Sequence, residues 1–319
     1  MKYDAFNGDA DGLCALHQLR LAEPATTTLV TGVKRDIGLL HRIDAQAGDE
    51  ILALDIAVEK NAVPLAAALA KGVKVRWFDH HHPGDLPVHP NFQATIDTSA
   101  EVCTSLLVDR HLGGTHRLWA VAAAFGDNLN GAARRAAEPL GLPRAKLDAL
   151  RELGECLNYN GYGDSLEDLH FHPADLYRAL HAYTDPFAFI HEASEFLTLS
   201  TGYLLDMAQA RAVQAEEVRP SGAVYLLPDA PWARRVSGVY ANELASAHPQ
   251  RAHALLTRSP RGYYVVSVRA PLVNKTGADE LCRRFETGGG RKAAAGINVL
   301  PEARMPEFVT AFFNAYPGQ

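Results

Sequence analysis

Short apolar runs alternate with longer amphipathic stretches through the first 130 residues. Tyr3–Phe6, Ile51–Ile56 (ILALDI) and Val73–Phe78 (VKVRWF) have the length and continuity of buried strands. Between and after them, Gly12–Leu21 (GLCALHQLRL), the alanine-rich Val63–Ala70 and Glu101–Arg110 read as helices. Thr98-Ser-Ala-Glu101 has the form of a capping box, in which hydroxyl and carboxylate satisfy the free N–H groups of a helix start. Leu118–Phe125 (LWAVAAAF) fits strand or helix by periodicity alone. Strands alternating with helices predict an α/β domain with a parallel sheet and crossover helices.

Beyond Arg144 the pattern is almost continuously helical, over Leu147–Leu157, Pro173–Ala182 and Pro186–Gln214. A turn cluster at Arg219-Pro-Ser-Gly222 then introduces new strand-like runs at Ala223–Leu227, His253–Arg258 and Tyr263–Val268. Helical stretches at Gly238–Ser246, Gly277–Phe285 and Met305–Ala315 accompany them. The expected organisation is a larger parallel-sheet domain over 1–187, a linker helix over 188–218 and a smaller α/β domain over 219–319.

Composition narrows the classes. Of 319 residues 47% are hydrophobic and 21% charged, which excludes a disordered chain and fits a globular one. Thirty-one Lys and Arg against 37 Asp and Glu leave a net charge of −6, so bulk electrostatics cannot hold a long nucleic acid. A polyanionic substrate must be drawn by a local patch or by metal ions. The four cysteines are scattered, without metal-site or disulfide spacing. The stretch MKYDAFNGDADG is acidic and glycine-bearing, unlike a secretory signal. No apolar run approaches the ~18 residues of a membrane span. The expectation is a cytoplasmic protein with no membrane segment and no obligate protein partner.

The candidate chemistry gathers where strands are expected to end. Asn7-Gly-Asp9-Ala-Asp11-Gly12 follows the first strand, Asp55 follows ILAL, Asp79-His80-His81-His82 follows VRWF, and Asp127 follows LWAVAAAF. Ligands of open α/β sheets bind beyond the carboxyl ends of the strands. Alone, each piece has an ordinary reading as an Asx turn, a helix cap or a solvated loop. Together they would repel one another unless divalent cations neutralised them; mixed carboxylate and imidazole ligands suit Mn²⁺, with Mg²⁺ as the alternative. Near the C-terminus, Gly288-Gly289-Gly290-Arg291-Lys292 ahead of an expected helix would present free N–H groups and positive charge to a phosphate. Cys14 reads as a buried small hydrophobe, Asn158–Gly163 as a helix-ending loop, His170 and His172 as surface residues, and Arg234 and Arg235 as a solvated pair.

In this order and spacing the pieces resemble the DHH phosphoesterase superfamily, which includes single-strand DNA exonucleases, nanoRNases, cyclic-dinucleotide phosphodiesterases and family II inorganic pyrophosphatases. Asp9-Ala-Asp11-Gly12, Asp55, Asp79-His80-His81 and Asp127 match its four motifs, and Gly288–Gly296 is similar to the GGGHxxAAG signature of its associated substrate-binding domain. The resemblance implies a parallel-sheet metal-binding domain, a helical linker and a smaller substrate-binding domain. It implies two Mn²⁺ per chain, one on Asp9 and Asp55, the other on Asp11, Asp55, His80 and Asp127. His81 would face the scissile phosphate, and Asp79 would orient a histidine. Gly288, Gly289, Gly290, Arg291 and Lys292 would contact substrate. Two departures stand out: Asn7 where relatives carry a charged or imidazole ligand, and Arg291 where they carry the histidine of GGGH. The implied activity is two-metal hydrolysis of short or single-stranded nucleic acids from an end. The alternatives are hydrolysis of a small phosphate compound (a nucleotide 3′-phosphate, a cyclic dinucleotide or polyphosphate) and a non-catalytic nucleotide sensor.

Overall fold

The computed structural model describes residues 1–317 and divides the chain into two units, Met1–Gly202 and Tyr203–Gln319. The first unit opens with β1 (Lys2–Phe6), α1 (Ala10–Ala22), β2 (Thr28–Val30), β3 (Glu50–Leu54), α2 (Ala62–Ala70), β4 (Lys74–Asp79) and β5 (Phe92–Ile96). It continues as helices: α3 (Thr104–His111), α4 (Arg117–Gly126), α5 (Asn130–Ala137), α6 (Arg144–Gly161), α7 (Pro173–His181), α8 (Pro186–Glu192) and α9 (Ser194–Ala212), the last crossing into the second unit. The five strands form one parallel sheet in the order β2-β1-β3-β4-β5.

Side chains alternate across this sheet, and both faces are covered. Phe6, Leu52, Leu54 and Phe78 join the core built with α1, α3, α4 and α6, while Ala5, Ile51, Ala53, Val75 and Trp77 join a second core with α2. That double burial is why β3 and β4 read as continuous apolar runs. Because every strand runs the same way, β1, β3 and β4 deliver their carboxyl ends to one edge.

The second unit contains β6 (Ala215–Arg219), β7 (Gly222–Leu227), α10 (Pro231–Ala247), β8 (Ala252–Ser259), β9 (Tyr263–Arg269), α11 (Ala278–Cys282), β10 (Gly288–Arg291), β11 (Ala294–Pro301) and α12 (Met305–Ala315). Its sheet order is β10-β11-β9-β8-β7-β6, antiparallel except for β7 with β8. Val224, Leu256, Val266 and Ile297 pack with Phe308 and Phe312 of α12. Among the described residues no helix is long and apolar enough to cross a membrane.

Several local expectations give way to tertiary packing. Leu118–Phe125 lies within α4, whose alanines let it meet α6 closely: a Cβ on Gly154 would lie 1.9 Å from the Ala122 carbonyl oxygen. Asp127 therefore caps a helix rather than ending a strand. The capping box at Thr98–Glu101 does not form; α3 starts at Thr104, Ser99 donates to Asp97, and Glu101 pairs with Arg135. The helix expected over 186–214 breaks at Ala193, and Ala215–Arg219 pairs with β7 as a strand. Gly288–Arg291 precedes no helix. It is the edge strand of a hairpin with β11, because the alanines at 294–295 pair with β9, and sheet pairing outweighs their helix propensity.

Candidate metal centre

Three strand ends and one helix end converge. Asp9 is the N-cap of α1 just after β1 and Asp11 lies in the first turn of α1, Asp55 directly follows β3, Asp79 ends β4 with His80 and His81 after it, and Asp127 is the C-cap of α4. Gly12 permits the first turn through close approach: a Cβ there would lie 2.2 Å from the Asn7 carbonyl oxygen. Asp55 sits at φ 57°, a left-handed conformation that non-glycine residues seldom hold without support. The support is local, since its N–H donates to the Phe78 carbonyl at 3.0 Å and its Oδ1 accepts from the Thr104 hydroxyl at 3.1 Å.

His80 Nε2 is the hub. It lies 3.3 Å from Asp55 Oδ1, 3.7 Å from Asp127 Oδ2 and 3.9 Å from Asp11 Oδ2. Ligand atoms of Asp11, His80 and Asp127 all fall within 4.8 Å of one another, as do those of Asp55, His80 and His81. The N-terminal amides of α3 fix Asp11, with Thr104 N–H donating to Oδ2 at 2.7 Å and Ser105 N–H to Oδ1 at 2.6 Å. Each oxygen keeps a lone pair, so the carboxylate is oriented without being used up. Hard oxygen donors plus one imidazole, within coordination reach, fit a divalent cation.

The electrostatics agree with that fit. Burial, then repulsion from Asp11 and Asp9, pushes the Asp55 carboxyl well above the usual carboxylate range. Burial and Asp127 likewise raise Asp11. Such a cluster is unfavourable by itself and becomes favourable around positive charge. His81 differs from its neighbours: its Nδ1 lies 2.7 Å from Asp79 Oδ1, which also accepts the His80 N–H at 2.9 Å. Burial lowers the His81 pKa, but the bond and charge of Asp79 outweigh it and hold the imidazole above its ordinary value.

One central residue escaped the sequence reading. Lys34, a few residues past β2, brings its ammonium to Asp9, to Asp127 Oδ1 at 3.2 Å and to Asn158 Oδ1 at 3.0 Å. Its N–H donates to the Gly161 carbonyl at 2.8 Å, and its ring neighbour is Tyr162. Asn158 is thus part of α6 and of the site, not of a helix-ending loop. The available signal was position: Lys34 follows a strand of the same parallel sheet. Asp9 Oδ1 caps α1 by accepting from Asp11 N–H at 3.0 Å and Gly12 N–H at 3.1 Å. Burial would raise the Asp9 carboxyl, yet Lys34 and the cap hold it below its ordinary value. Asn7 is buried, its Nδ2 donating to the Lys34 carbonyl at 3.4 Å and its Oδ1 without a partner among the described residues.

Gly288, Gly289, Gly290, Arg291 and Lys292 belong to the second unit, with Arg291 and Lys292 exposed at the turn of the β10–β11 hairpin. All four cysteines are buried thiols, Cys14 among them. His170 is half-buried and meets the Tyr159 hydroxyl at 2.7 Å, whereas His172 is exposed as expected and caps α7. Arg234 and Arg235 are largely buried ion-pair partners of Asp229 and Asp206.

By sequence the chain matches no family model and no curated protein. Its fold has solved counterparts. A manganese-bound RecJ exonuclease matches with a TM-score of 0.63 at 20% identity, over 97% of this chain and 88% of that one. The Mn²⁺ complex of RecJ from Thermus thermophilus matches at 0.63 and 22% identity, over 99% of this chain and 52% of that one, so this chain spans about half its length. The pGpG-specific phosphodiesterase PggH from Vibrio cholerae matches at 0.56 and 15% identity, over 98% of this chain and 97% of that one. At these identities the likeness is one of fold, and the chain has the two-domain α/β fold that the DHH resemblance implied.

Proposed function

We propose that the protein is a Mn²⁺-dependent phosphodiesterase that hydrolyses short or single-stranded nucleic acids from an end. The carrying observation is the meeting of Asp11, Asp55, His80 and Asp127 at one sheet edge, beside a histidine held by a buried carboxylate. Those four side chains would hold the ion. When bound, a divalent ion supplies Lewis-acid polarisation of a phosphoryl oxygen and makes water nucleophilic near neutral pH. A nuclease and a pGpG-specific phosphodiesterase share this fold, which supports a nucleotide phosphodiester as substrate.

The protein groups have separable tasks. Asp79 bonds His81 Nδ1 and so leaves Nε2 for substrate, where a protonated ring donates to a phosphoryl oxygen or to the leaving oxygen. Arg291 and Lys292, on the glycine-rich hairpin, would engage a terminal phosphate, for which a guanidinium fork is well shaped. With a net charge of −6, long polyanions meet overall repulsion, and that favours short substrates.

The same net charge favours a second reading, hydrolysis of a small phosphate compound. A substrate panel with Mn²⁺ separates the readings: single-stranded DNA and RNA of graded length, linear and cyclic dinucleotides, nucleotide 3′-phosphates and polyphosphate. The expected result is mononucleotide release, fastest from the shortest oligonucleotides and abolished in Asp55→Ala. Turnover confined to the small compounds selects the second reading. Undiminished turnover by Asp55→Ala rules out both, and Mn²⁺ binding without turnover of any substrate indicates a sensor.

A further inference from the structure

Building on the proposed metal-dependent function, we propose that the Lys34 ammonium replaces one of the two metal ions, leaving a centre that binds a single divalent cation beside a permanent protein cation. The ammonium has three protons and meets three acceptors, on Asp9, Asp127 and Asn158. Lysine offers a metal no lone pair while charged. A second divalent ion next to Asp9 would therefore meet repulsion instead of a ligand.

Asp9 offers such an ion a single oxygen, and that oxygen already faces a cation. Its Oδ1 accepts both cap N–H groups of α1, and its Oδ2 carries the Lys34 ion pair. Asp9 is also absent from both groups of converging ligand atoms among the described residues, whereas Asp11, Asp55, His80 and Asp127 all appear. Asn7 points the same way, since a neutral amide stands in motif I where a carboxylate would strengthen a second cation site. Lys34 is held in place from both ends, its backbone N–H on Gly161 and its ammonium on Asn158, both residues of α6. A divalent ion and the ammonium bring three positive charges to the four carboxylates of Asp9, Asp11, Asp55 and Asp127. The charge is nearly matched without a second metal.

The test is the Mn²⁺ stoichiometry of the full chain, by calorimetry and by native mass spectrometry. Wild type should bind one ion per chain, Lys34→Arg one, and Lys34→Met combined with Asn7→Asp two. Electron paramagnetic resonance of the wild type should give the hyperfine-resolved spectrum of an isolated Mn²⁺, not the broadened spectrum of a coupled pair. Two ions in the wild type, or a coupled spectrum, overturns the inference and leaves the phosphodiesterase reading intact. One ion in both the wild type and the double variant also overturns it. Zero ions in the wild type overturns the inference together with the functional reading. If the double variant fails to fold, Lys34→Met alone is read in its place, two ions supporting the inference and one overturning it.

Discussion

Asp55→Asn should stabilise the metal-free protein while removing its response to Mn²⁺. The substitution is nearly isosteric, asparagine tolerates the φ of 57° at this position, and its amide oxygen still accepts the Thr104 hydroxyl. What changes is charge. Asp55 Oδ1, Asp11 Oδ2 and Asp127 Oδ2 all lie within 3.9 Å of His80 Nε2, so no two of these oxygens are more than about 8 Å apart. At an effective dielectric of about 20, each ionised neighbour repels Asp55 by roughly 2 kcal/mol. Partial protonation reduces this, and we expect a net gain of about 1–3 kcal/mol, on the order of 5 °C in Tm for a unit of this size.

The sign with pH follows from the raised Asp55 carboxyl. Between the ordinary carboxylate value and the folded one, the native state keeps a proton that the unfolded chain has lost. Wild-type stability therefore falls as pH rises through that window, and the advantage of the variant grows with it. Thermal melts of chelator-treated protein across pH measure the effect. With Mn²⁺ at about 1,000 times its Kd, the wild type should gain about 4.1 kcal/mol and the order should reverse. A lower Tm for metal-free Asp55→Asn at alkaline pH, or an equal Mn²⁺-induced rise in both proteins, would refute the reasoning.

Three further outcomes are expected. Gly154→Ala, whose Cβ would lie 1.9 Å from the Ala122 carbonyl oxygen, should cost about 1–3 kcal/mol in urea denaturation and weaken Mn²⁺ binding, because α4 ends at Asp127 and α6 carries Asn158. His17→Gln should flatten the acid limb of stability: burial, then His181, lowers His17 from 6.5 to about 3, while it bonds the Tyr183 carbonyl at 3.0 Å. The native state resists a proton that the unfolded chain accepts, so wild-type stability drops by about 1.4 kcal/mol per pH unit as pH falls below 6.5; denaturation across acid pH reads the slope. His81→Gln should lower kcat by about 10²–10⁴ with Mn²⁺ stoichiometry unchanged, which steady-state kinetics and calorimetry together check.

Much of the first unit was legible because its strands bury both faces and so print continuous apolar runs ending at Asp55 and Asp79. A parallel sheet sends those ends to one edge, so residues distant in the chain share a site without any local signal of contact. Other features depended on neighbours in space. LWAVAAAF has no decisive period, and in the fold it is a helix that passes closely against Gly154. The glycine-rich segment near the C-terminus became an edge strand because β11 was there to pair with it.

Lys34 marks the boundary most clearly. A lysine among loop residues has no periodic signature, and its partners are 25, 93 and 124 positions away. The sequence by itself determined which residues are apolar, where the parallel strands end, and that acidic and imidazole groups follow those ends. Only the tertiary structure decided which charge answers which, because Coulomb energy depends on distance through space and burial, and neither is written in the local order of residues.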